Sequence, residues 1–222
     1  MSDELSSFTQ LAAEVDPPLD ALALALAAEF RDVDASAAMA SLDALGAEIA
    51  DAAAGASRTP EAQANVCAAV LWGRHRYSGD STDYDDPRNS MLDVVIERRR
   101  GLPILLSVLY VETARRAGIP LQGVGLPGHF VVGHFGTDPP LLIDPFASGR
   151  PVREDVPRNR LAAWSATDIA MRMLNNLVPA FQRRGDLSAA IRAASMRLEL
   201  PAASALHESL ELEVRMLRAR LN

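Results

Sequence analysis

The chain has 222 residues, with 22 Lys+Arg against 29 Asp+Glu and a formal net charge of −7. Every basic residue is Arg, which excludes a Schiff-base lysine and a phosphate-binding P-loop, since both need an amine. The single cysteine, Cys67, excludes an intrachain disulfide and a cysteine-rich zinc site, and an acidic chain with no basic run is a poor ligand for nucleic acid.

In chain order, the N-terminus MSDELSSFTQ lacks the basic start and apolar run of a secretory signal. The apolar stretch Leu19–Phe30 is too short to span a bilayer, so a cytoplasmic protein without a membrane segment is expected. Abundant Ala favours helix. Pro17-Pro18 starts a helix over Leu19–Arg31, and Asp34 opens another through Met39, Leu42, Leu45 and Ile49. Thr59-Pro60 caps a third that carries Ala62 to Trp72.

Arg76–Arg88 is loop by composition. Asn89 or Ser90 caps a helix over Met91–Arg99 that Gly101 ends, and Pro103 starts a helix to Arg116 closed by Gly118. That helix is apolar nearly all round in its first two turns, which predicts a place in the core. Leu121–Leu126, His129–Phe135 and Leu141–Phe146 read as strands, the last two as an antiparallel hairpin. Helices are predicted near Asn159–Trp164 and over Asp168–Arg184, Leu187–Leu198 and Ala203–Leu221.

A hairpin centred on Gly136-Thr137 sets His129 nearly opposite Asp144 on one face. A carboxylate beside an imidazole fixes its tautomer and is the base-and-orienter half of a nucleophilic triad. A strand-start histidine bonded for structure alone is the competing reading. No metal is expected: His129 and His134 sit five apart and face opposite sides of a strand, and Asp80, Asp83, Asp85 and Asp86 lack calcium-loop spacing. His75 and His207 read as surface or interface residues. Arg98-Arg-Arg100 reads as a solvated helix end, with a small anion site as the alternative.

Tyr77-Ser-Gly, Asp83-Tyr84-Asp-Asp-Pro-Arg-Asn89-Ser, Glu97-Arg-Arg-Arg-Gly-Leu-Pro103-Ile, Ala117-Gly-Ile-Pro120, Val124-Gly-Leu-Pro-Gly-His129-Phe130 and Leu142-Ile-Asp144-Pro-Phe follow one another in this chain. The string resembles the bacterial SirB-type transglutaminase-like proteins across about residues 20–200. The resemblance implies an α+β fold: a transglutaminase-like, distantly papain-like core over residues 1–165, mostly helical with a small antiparallel sheet. A short tetratricopeptide-like helical appendage over residues 166–222 would follow. It also implies a nucleophilic Cys at the start of the central helix, fifteen residues before Gly118, then His and Asp on successive strands. His129 and Asp144 match the last two, and the Cys position holds Pro103. Proline suits the first turn of a helix but carries no nucleophile.

Two side chains compete as substitutes. Ser107 lies one turn beyond Pro103, although a bond to the Pro103 carbonyl is the simpler fate of a serine there. Cys67, among Val66, Ala68, Ala69 and Val70, reads as a buried inert thiol. The expectation is a pseudoenzyme: a binding or regulatory module that reuses a peptide cleft, with Tyr84, Asn89 and Phe130 as candidate binding residues. It is expected to take a protein or peptide partner and no cofactor. The alternatives are a hydrolase or acyltransferase using His129 and Asp144 with Ser107 or another nucleophile, and a structural protein docking through its C-terminal helices.

Overall fold

The computed structural model describes residues 6–83, 85–152, 157 and 161–221. A short first helix, α1 (Phe8–Ala12), is started by a capping box between Ser7 and Gln10. It escaped the sequence reading because five residues are too few to show a period. Next come α2 (Leu19–Ala28) and α3 (Ala35–Ala53), where the Asp34 side chain accepts from the Ala37 amide at 2.9 Å. Helix α4 (Pro60–Ala68) is capped by Thr59, with Pro60 in its first turn. It does not run on to Trp72 as an α-helix, but widens into a π-helical turn over Ala69–Arg74.

Strand β1 (Ser78–Gly79) pairs in parallel with β2 (Arg100–Gly101). Neither was legible in the sequence, being two residues long. A 3-10 turn (Pro87–Ser90) leads into α5 (Leu92–Arg98), whose N-cap is Met91. The expected caps, Asn89 and Ser90, lie within the 3-10 turn instead. Helix α5 ends at Arg99, which takes the left-handed conformation (φ 58°) usually left to glycine. Gly101 therefore does not end the helix: it lies in β2, where a Cβ would come within 2.6 Å of Val95.

Helix α6 (Pro103–Arg116) runs through the core with Ile104 to Tyr110 all buried, as its all-round apolarity predicts. Each fully buried Leu (105, 106, 109) contributes about 1.5–3 kcal/mol relative to exposure. The helix packs on an antiparallel sheet ordered β3-β4-β5-β6: Leu121–Leu126, His129–His134, Leu141–Asp144 and Arg150–Pro151. In the β4–β5 pair Val132 faces Ile143 and His134 faces Leu141, so the hairpin is centred one residue later than expected. Residues 161–165 form no helix; Asn159 and Arg160 lie outside the described residues.

Three helices close the fold: α7 (Ala166–Arg183), started by a Ser165–Asp168 capping box, α8 (Leu187–Met196) and α9 (Ser204–Ala219). They join the N-terminal helices directly. Phe30 meets Phe181 with ring centroids 5.0 Å apart, and the Arg192 guanidinium bonds Glu29. The main apolar core draws on residues from Phe8 to Leu217, and a smaller separate cluster joins Val124, Leu126, Val131 and Leu142. The chain is thus an α+β protein built on a central helix and a small sheet.

Candidate functional site

The site sits where β4 begins and β5 ends. His129 Nε2 lies 2.8 Å from Asp144 Oδ2. The other carboxylate oxygen, Oδ1, accepts the amides of Phe146 at 2.9 Å and Ala147 at 3.3 Å. The carboxylate is thus fixed by its own turn and orients the ring in the manner of a triad's third member. The side chains of His129 and Asp144 are 33% and 18% exposed, so the imidazole is reachable from solvent.

The turn after Asp144 is built tightly. Gly149 donates its amide to the Asp144 carbonyl at 2.8 Å and takes φ +71°. A Cβ there would come 2.7 Å from Ala68 Cβ and 3.0 Å from the Tyr110 hydroxyl. That hydroxyl, fully buried on α6, has no hydrogen-bond partner among the described residues. Burial, with added repulsion from Cys67 and Asp144, pushes the phenol well above its usual range.

Phe146 links the pair to the start of the central helix. Its ring meets His129 edge-on with centroids 6.5 Å apart. It also lies so close to Gly79 that a Cβ there would come 2.3 Å from it. Gly79 pairs with Gly101, two residues before Pro103. Pro103 is buried in the first turn of α6, and no side chain caps that turn. Ser107, also fully buried, donates its hydroxyl to the Pro103 carbonyl at 2.8 Å. Cys67 is buried, and burial pushes its thiol up to about 12. Both side chains are thus held away from solvent, whereas the imidazole is not.

Two of the candidate binding residues, Phe130 and Asn89, are buried. Phe130 is 2% exposed and packs edge-on against Trp164 at 5.5 Å, so its ring belongs to the core and not to a binding face. Asn89 is fully buried; its Nδ2 donates to the Asp83 carbonyl at 2.8 Å, and its own carbonyl accepts the Leu102 amide at 3.1 Å. It ties the acidic loop to the start of α6. Tyr84 lies outside the described residues.

The acidic loop is folded around arginine. Asp80 and Asp86, both nearly buried, converge on Arg98, which reaches Asp86 Oδ2 at 3.2 Å and Asp80 Oδ2 at 3.9 Å. Both carboxyls sit below their ordinary range. For Asp80 the hydrogen bonds from Thr82 dominate; for Asp86, burial works against ionisation but the bonds from Arg88 and Arg98 outweigh it. Arg183 and Arg184 reach Asp85 and Asp83 from α7, each at 2.6 Å. Arg98, at the exposed end of α5, thus also serves as the shared cation of two loop carboxylates.

Among the described residues no group of three or more His, Cys, Asp or Glu side chains is placed to hold a metal ion. His134, on β4, bonds Gln63 Oε1 through Nε2 at 2.7 Å and accepts the Gly136 amide through Nδ1 at 3.1 Å. His75 contacts Glu48 at 3.0 Å and His207 lies 3.7 Å from Glu211. The sequence reading missed the Phe146–Gly79 contact and the buried Tyr110 hydroxyl; the Asp144-to-Gly149 turn was the one available signal for either.

A family model described as the transglutaminase-like superfamily matches residues 36–180, which contain the central helix and the His129–Asp144 pair. The chain belongs to the transglutaminase-like superfamily. A UPF0162 protein of Pseudomonas aeruginosa is 33% identical over 217 residues, 89% of this chain and 77% of that protein. A UPF0162 protein of Xylella fastidiosa is 44% identical over 113 residues, which is 49% of this chain and 40% of that relative. Mouse F-box only protein 21 is 38% identical over 63 residues, 28% of this chain and 10% of that protein. The match to the Xylella relative thus spans less than half of its length. No solved structure matches the chain. The matched span holds the His129 imidazole oriented by Asp144 and, at the start of the central helix, Pro103.

Proposed function

We propose that this transglutaminase-like domain is a binding or regulatory module of the SirB type that does not turn over a substrate. One observation carries the reading: Pro103 fills the first turn of α6, where the resemblance places a thiol, and the next hydroxyl along, Ser107, is spent on the Pro103 carbonyl. The partly exposed His129 ring, held by Asp144, is then a recognition group for a protein or peptide partner. A cytoplasmic location belongs to the same proposal; among the described residues no helix is long and apolar enough to cross a membrane.

The test is a panel of peptide, amide and ester substrates, with and without an amine acceptor, on wild type and His129→Ala. The proposal expects both proteins to stay at background. Turnover that His129→Ala abolishes would replace it with the rival reading, a hydrolase or acyltransferase. The intact His129–Asp144 geometry favours that rival, and the committed hydroxyl of Ser107 counts against its nearest nucleophile.

A further inference from the structure

The outer side of α9 carries a pattern that the packing of the domain leaves unused. Leu210, Val214 and Leu217 face inward and are at most 5% exposed. On the opposite side Leu212 and Met216, one turn apart, are 53% and 63% exposed. Ala205, Ser209 and Ala219, all exposed, continue that line at three- and four-residue spacing, giving a seam of small and apolar residues along the whole helix. Charge is divided along the same helix. Glu208, Glu211 and Glu213 precede Arg215, Arg218 and Arg220. Glu213 is engaged by Arg197 at 2.7 Å, and Arg215 reaches Glu211 only at 3.9 Å. Glu208 makes no ion pair among the described residues, so its charge is available to a neighbour.

This division selects the occupant. A parallel neighbour of the same sequence would set acid against acid, whereas an antiparallel copy sets the acidic half against the basic half. With the two-fold axis at Leu212, that residue meets its own counterpart. Ala205 meets Ala219 of the second copy, and Ser209 meets its Met216. Glu208 comes beside Arg215 of the second copy on one flank, and the symmetry makes this pair twice. Small residues at both ends of the seam let the two helices approach closely.

We infer that the protein self-associates through α9, packed antiparallel on α9 of a second copy. The seam is one helix long, with two large apolar side chains per copy. It falls well short of the ~800 Å² per partner of a standard stable interface, so the dimer is weak and depends on concentration. Such self-association would also put two His129 sites on one assembly.

Sedimentation velocity of the full chain, from low micromolar to near-millimolar concentration, tests this. The mass is expected to rise from 23.8 kDa towards twice that value. Met216→Glu, at an exposed position, should weaken the association at least about tenfold, because it buries two unpaired charges in the seam. Arg215→Glu should also weaken it, and Glu208→Arg with Arg215→Glu in one chain should restore it. Leu212→Cys should cross-link symmetrically on oxidation, since Cys67 is buried. A constant 23.8 kDa at every concentration overturns the inference. So does a dimer indifferent to Met216→Glu, or a charge swap that fails to rescue.

Discussion

His129 and Asp144 meet on a diagonal of the sheet. Extending the β4–β5 register by one rung sets Asp144 opposite Val131, two residues along from His129, yet the side chains close to 2.8 Å. Diagonal neighbours on one face are within reach of long side chains, and an imidazole and a carboxylate together have that reach. The diagonal leaves the space opposite His129 to Phe146, whose ring stands edge-on to the imidazole.

Gly79→Ala tests that ring's role. The added Cβ would come 2.3 Å from Phe146, so the ring must leave its seat against β1. We expect a loss of about 1–3 kcal/mol in chemical denaturation, the usual cost of overpacking. Phe146→Ala in the same chain should remove the clash, so the two losses should fall short of their sum.

Pro103→Cys asks whether the imidazole still addresses the start of α6. A thiol in the uncapped first turn of a helix has its pKa lowered by the helix dipole. Position 103 is buried, so we expect iodoacetamide at neutral pH to alkylate it slowly in the native protein, still ahead of Cys67, and more slowly again when His129→Ala is added. Cys67 should stay unmodified until the chain unfolds, because burial holds its thiol up at about 12. Alkylation of position 103 at a rate indifferent to His129 would mean that the pair no longer faces the helix start.

His134 sets a pH dependence of stability. Burial holds its pKa below the ordinary histidine value, with a smaller opposing pull from the Glu61 charge. In the folded ring Nδ1 accepts the Gly136 amide, so a proton there would face an N–H donor. As pH falls below about 6.5 the unfolded chain takes up this proton before the folded one does. The contribution of His134 is therefore complete above pH about 6.5 and is lost as pH falls from there through the lower folded pKa. Denaturation midpoints of wild type and His134→Gln between pH 7.5 and 5 should diverge, with only the wild type losing this component.

The arginines around the acidic loop should separate by burial. Arg98→Ala leaves Asp80 and Asp86 nearly buried without their shared cation, and about 2 kcal/mol of stability should go. Arg183→Ala and Arg184→Ala break pairs whose partners are about half exposed, and each should cost under about 1 kcal/mol. Their loss should show instead as faster proteolytic cleavage within residues 80–86.

The sequence made the long elements legible, because period and caps coincide in them. Asp34, Thr59 and Pro103 each stand at a helix start, and the apolar run of α6 marks its burial. Short elements were not legible: β1, β2 and β6 have two residues each, too few to show alternation; β1 and β2 form where separated segments meet, and β6 forms by folding back on β5 through a tight turn. The pairing of His129 with Asp144 was visible from the common face of two strands. The displaced register was not, since it depends on how many residues the turn consumes. Phe130 shows the same limit: its neighbour in the sequence is the site histidine, but strand alternation sends its ring into the core.

The tie between the first and last helical layers bears on how the chain folds. Thr9 donates to Glu199 at 2.6 Å across 190 residues of sequence, and Arg192 clasps Glu29 across 163. Contacts of such separation make for slow folding, because a long loop must close before they reward it. During synthesis α1 and α2 emerge before α7 and α8, the partners that cover them. Until α7 and α8 arrive, Phe8, Leu22 and Phe30 have incomplete cover, and the nascent chain is exposed to aggregation.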